Sequence, residues 1–124
     1  MAMRIKLVDI EKNESLEPPI DLVHLAKYTL GNRALETELL GLFRSQAKIY
    51  LNRLESAATD EEWREAAHSL KGSARGLGAW KLGERAEEAE KLIGPEAQQS
   101  DEVLDHIREA IDSINFFIDS LQAD

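Results

Sequence analysis

Apolar residues recur at three- and four-residue spacing along most of this 124-residue chain, and little in the sequence interrupts them. The three prolines are Pro18, Pro19 and Pro95, all at segment edges. Proline removes an amide donor and clashes with the preceding turn, so long stretches without it leave helices free to run. The pattern predicts an all-α protein.

Five helices follow from the spacing. A short one covers Asp21 to Thr29, with Asp21 as its cap and Gly31 beyond its end. A long one runs from about Asn32 to Ala58. It carries two apolar stripes, one of Leu35, Leu39, Leu42, Ile49 and the stem of Arg53, the other of Leu40, Phe43, Ala47, Leu51 and Leu54. The third opens on Thr59-Asp60-Glu61-Glu62, a capping box, and stops at Gly78. The fourth spans about Trp80 to Ile93 before Gly94-Pro95, and the fifth runs from Ser100 to about Gln122. Four amphipathic helices with short connections predict an antiparallel up-down-up-down four-helix bundle, with the short N-terminal helix added at one end. Residues 1–19 read as a flexible N-terminal arm, and residues 20–124 as one bundle domain.

Composition narrows the function. Cysteine is absent, which excludes disulfides and thiolate metal sites and fits a reducing compartment. No apolar run approaches the roughly 20 residues of a membrane span, and the N-terminus does not read as a signal peptide. A cytoplasmic protein without a membrane partner is expected. The formal net charge of -9 argues against nucleic acid, whose phosphates it repels. His24, His68 and His106 have no metal-ligand spacing, so no metal is expected.

The third helix departs from this plain pattern. With Trp63 at zero and about 100° per residue, Ala66, Ala67, Leu70, Ala74 and Leu77 fall within roughly 60° and form a core face. His68 lies about 140° away, among Arg64 at about 100°, Lys71 at about 80° and Arg75 at about 120°. Three cations and a histidine thus share an outer stripe. Positive neighbours favour the neutral imidazole, a nucleophile, and they would meet the charge of a phosphoryl group placed on it. Gly72 lies nearly opposite the core. A glycine inside a helix costs about 1 kcal/mol relative to alanine, and no helix packs on that side to justify it. The remaining purpose is clearance one turn beyond His68.

The run His68-Ser69-Leu70-Lys71-Gly72-Ser73-Ala74, followed by Leu77-Gly78-Ala79, resembles the motif of histidine-containing phosphotransfer (HPt) domains. The similarity extends back through Leu30-Gly31-Asn32 and Leu39 to Phe43, and forward into the fourth helix, over roughly residues 20–95. It implies a four-helix bundle with His68 as the phospho-accepting residue. The phosphoryl group would come from an aspartyl phosphate on one receiver domain and pass to another, with a hybrid sensor kinase as a possible further partner. Lys71 would stabilise its charge and Gly72 would give room. The partner would supply the magnesium, so no cofactor is expected here, and the chain is expected to be a monomeric carrier without kinase activity of its own. Family members often place a polar amide or a cation on the fourth helix beside the histidine. Glu87, Glu90 and Lys91 stand in that region instead, and no role is assigned to them.

Plainer readings stand beside these. Arg64 and Arg75 join Lys71 as candidate phosphate-stabilising residues, although Arg64 could simply pair with Asp60. Leu40, Phe43 and Ala47 are candidates for receiver docking, with burial under the short helix as the alternative. The run Glu84 to Glu90 reads as a solvated face. Competing functions are a histidine-bearing substrate module of a chemotaxis-type kinase and a non-catalytic helical adaptor.

Overall fold

Local sequence sets the helix boundaries. In the computed structural model, which describes residues 17–94 and 100–122, all regular structure is helical. The elements are α1 (Leu22–Thr29), α2 (Arg33–Glu55), α3 (Asp60–Leu77), α4 (Trp80–Glu90) and α5 (Asp101–Gln122). Most of the arm expected over residues 1–19 lies outside the described residues. None of the described helices is long and apolar enough to cross a membrane.

Side-chain oxygens satisfy the first amides of three helices, as orphan donors require. Asp21 accepts from the His24 amide at 3.1 Å, and Asn32 from that of Leu35 at 3.0 Å. Thr59 Oγ1 accepts from the Glu62 amide at 3.1 Å. The reciprocal half of this capping box is displaced by one residue, because the Glu62 carboxylate accepts from the Ala58 amide at 3.3 Å. Gly78 closes α3 with φ +91°, and a Cβ there would sit 3.0 Å from the Asp21 carbonyl oxygen. The Asp21 amide donates to the Gly78 carbonyl at 2.9 Å, so the start of α1 is tied to the end of α3. Two helices are shorter than the periodicity predicts. α2 stops at Glu55 rather than Ala58, and α4 at Glu90, which leaves Ile93 exposed.

The four longer helices close a ring of contacts: α2 meets α3, α3 meets α4, α4 meets α5, and α5 returns to α2. α1 packs on α2. The shared core includes Leu25, Leu40, Leu54, Trp63, Leu70, Leu82, Ile107, Ile114 and Ile118, all buried. α3 and α4 make the most extensive of these contacts, and much of what they bury is small. Ala67, Ala74, Ala86 and Ala89 are fully buried, and a Cβ on Gly83 would lie 3.0 Å from Arg75 Cγ. Small side chains let helices approach closely. The Trp63 indole N–H donates to the Ala89 carbonyl at 2.7 Å, which fixes the last turn of α4 against α3.

The phase of α2 corrects the docking assignment. Leu40, Phe43 and Ala47 are 2%, 4% and 1% exposed and belong to the core, so none can meet a partner. Leu35, Leu42 and Ile49 of the other stripe face outward instead. Both stripes are apolar at helical spacing, and packing against α3 and α5 buries the one holding Phe43 and Leu54.

Candidate functional site

His68 projects from the outer face of α3, and its side chain is 68% exposed. The helix exposes it because Ala67 and Leu70, on either side in sequence, turn into the core. Its nearest charged neighbour comes from α4. Nδ1 and Glu90 Oε2 lie 2.8 Å apart, and the other carboxylate oxygen of Glu90 pairs with Lys71 Nζ at 2.5 Å. The side chains of Glu90 and Lys71 are half-buried, at 21% and 18% exposed. One carboxylate therefore bridges the histidine and the lysine.

This bridge sets the chemistry of both groups. The hydrogen bond that Lys71 donates holds the Glu90 carboxyl below the usual glutamate range, with the hydrogen bond from His68 and the charge of Lys71 adding to the effect against the opposing influence of burial. An ionised carboxylate is an acceptor only, so Nδ1 must carry the proton. In a neutral ring, Nε2 then holds the lone pair, and among the described residues it has no hydrogen-bonding partner. The exposed nitrogen of this side chain is the nucleophilic one.

The expected stripe of free cations is only partly present. Arg75 turns toward α4 and pairs with Glu87 at 3.0 Å. Lys71 is paired with Glu90. Arg64 alone has no carboxylate partner among the described residues, and it does not pair with Asp60, whose carboxylate accepts from the Gly94 amide at 2.8 Å. Arg64 lines a cleft of about 720 Å³ together with His68, Ser69 and Glu90, and Arg53 of α2 reaches the same cleft. Surrounding positive charge is therefore not what governs the ring: a carboxylate touches it, and that carboxylate fixes the position of the proton.

Gly72 is open on its outer side, since a Cβ there would meet nothing within 4 Å. No contact among the described residues calls for a glycine at this position. Gly76, one turn further, is equally open, and its carbonyl accepts a hydrogen bond from His24 Nε2 at 3.1 Å.

Glu90 and Glu87 are the residues beside His68 and its cations to which the sequence reading assigned no role. The Glu84 to Glu90 run is not a uniformly solvated face, because these two carboxylates turn toward α3. A signal was present: Glu87 and Glu90 are three apart on one helix, and Arg75 and Lys71 four apart on the preceding one. Such spacings place each pair on one helix face, so matched charges could meet across an interface.

No curated protein and no solved structure matches this chain. A family model does: that of the Hpt domain matches residues 38–115, more than half of the 124 residues. The match takes in all of α3 and α4 and most of α2 and α5, the helices that build the ring and carry His68, Lys71 and Glu90. The chain belongs to the Hpt domain family.

Proposed function

We propose that this protein is a cytoplasmic phosphotransfer carrier of a two-component phosphorelay, which accepts a phosphoryl group on His68 from a receiver-domain aspartyl phosphate and passes it to another receiver domain. The carrying observation is the exposed imidazole whose Nδ1 is held by Glu90 while Nε2 stands free. In the reaction, the Nε2 lone pair attacks phosphorus in line. The bond from phosphorus to the donor carboxylate oxygen breaks, and the carboxylate departs with its electrons. Lys71, one turn from His68, offsets charge on the transferred group, and Arg64 at the cleft rim adds to it. Gly72 gives a receiver loop room to approach the ring. Residues 20–124 form the working domain as an antiparallel up-down-up-down bundle, a reading supported by the ring of contacts in chain order.

Arg75 supports the site indirectly in this reading. Its pairing with Glu87 holds α4 against α3, and with it the Glu90 carboxylate. Docking of the receiver falls to surface around the cleft and not to Leu40, Phe43 or Ala47.

The test is phosphoryl transfer from radiolabelled, phosphorylated receiver domains. The wild-type chain is expected to take up an acid-labile, alkali-stable label. His68→Gln is expected to fold normally, by circular dichroism, and to take up none. Undiminished labelling of that variant would refute the proposal.

A further inference from the structure

The carboxylate of Glu90 has a chemical consequence beyond holding the ring in place. We propose that its carboxylate is the counter-ion of the phosphorylated imidazole, keeping Nδ1 protonated and so extending to alkaline pH the range over which the protein gives up its phosphoryl group. This rests on the carrier reading above and adds a determinant of when the carried group can leave.

The electron count explains why a counter-ion matters. Before transfer the ring is neutral, with its proton on Nδ1 facing Glu90 Oε2 at 2.8 Å. Attack forms the Nε2–P bond and breaks the donor P–O bond, with no proton moved. The ring becomes cationic, still protonated at Nδ1. In release, the N–P bond breaks and its electron pair returns to Nε2. With Nδ1 protonated, the leaving group is neutral imidazole. Without that proton it would be imidazolate, a far stronger base and a poor leaving group. Release therefore depends on a proton that sits against Glu90.

Among the described residues, Glu90 from α4 is the one charged group that touches the ring. Glu62, Arg64 and Glu65 of α3 and Arg53 of α2 line the adjoining cleft, and Lys71 engages the far oxygen of Glu90. The two cleft arginines and Lys71 oppose a cationic ring, and Glu62 and Glu65 favour it. The contacting carboxylate outweighs the cations because Coulomb interaction falls with distance and the arginines are in solvent. An amide at position 90 would accept the same hydrogen bond without the charge. Orientation and charge can thus be separated by one substitution.

The full-length chain can be phosphorylated without a partner by phosphoramidate, which transfers its phosphoryl group as ammonia leaves. Loss of the group to water is then followed from mildly acidic to alkaline pH. Wild type and Glu90→Gln are expected to coincide in mild acid, where both rings are protonated. As pH rises, the variant should slow first, and in the alkaline range its phosphorylated form should outlive that of wild type by about tenfold, the factor that corresponds to one pH unit. Glu90→Asp, which keeps the charge, is expected to retain the wild-type profile. Coincident profiles for wild type and Glu90→Gln, or an Asp profile that follows the Gln one, would overturn the role of Glu90 alone. Label that survives His68→Gln would instead sink the carrier reading itself.

Discussion

Gly72 carries its information through what it lacks. A side-chain methyl at this position would touch nothing within 4 Å among the described residues, so alanine should stabilise the chain by about 0.5–1 kcal/mol through higher helix propensity and a less flexible unfolded state. In the proposed transfer, the same methyl would stand one turn above His68, in the path of an incoming receiver. Gly72→Ala is therefore expected to raise the urea midpoint while slowing transfer from a phosphorylated receiver. Unchanged transfer kinetics would remove the clearance role. His68, Lys71 and Gly72 were legible in the sequence because all three lie on one helix, where spacing translates directly into a shared face. Glu90 was not, since it is 22 residues from His68 and reaches it only once α3 and α4 have packed. A local run of glutamates looks the same whether it faces water or a lysine on the next helix.

Helix boundaries and helix phase differ in how much the chain declares. Caps are local chemistry, so Asp21, Thr59 and Gly78 could be read directly and each terminates a helix in the structure. The phase of α2 could not, because two of its stripes are apolar at the same period. Which one is buried depends on α3 and α5, whose surfaces lie elsewhere in the sequence. Paired substitutions separate the two stripes. Leu40→Ala, deep in the core, is expected to lower stability by about 3 kcal/mol through lost burial and a residual cavity. Leu42→Ala, on a side chain 55% exposed, is expected to change stability by less than about 0.5 kcal/mol. Equilibrium unfolding in urea would decide, and equal losses would contradict the observed phase.

Among the described residues of the bundle, two carboxylates are held ionised more firmly than usual, each at a junction between helices. Asp21 joins α1 to the start of α4, and its carboxyl is lowered from the ordinary 3.8 chiefly by the Trp80 indole N–H at 3.0 Å. Glu90 joins α4 to α3, and its carboxyl is lowered from the ordinary 4.5 chiefly by Lys71. A carboxyl that is more acidic in the folded state binds fewer protons there than in the unfolded state. Its stabilisation is complete above the ordinary value and fades as pH falls through the lowered one. Unfolding midpoints should thus drop on acidification below about pH 4.5, in a window that follows from these two residues. Asp21→Asn combined with Glu90→Gln should be less stable than wild type at neutral pH and show a shallower acid decline. An equally steep decline would assign the acid sensitivity to other groups.

The alanines between α3 and α4 bear on transfer although none of them touches the imidazole. Because Ala67, Ala74, Ala86 and Ala89 are short and fully buried, the two helices sit backbone to backbone, and their spacing has little slack in it. Lengthening any one of these side chains would wedge the pair apart, and the separation would be felt at a carboxylate that must stay within bonding reach of a ring on the opposite helix. Methyl groups that never meet the phosphoryl group thereby hold the tolerance to which its carrier is built.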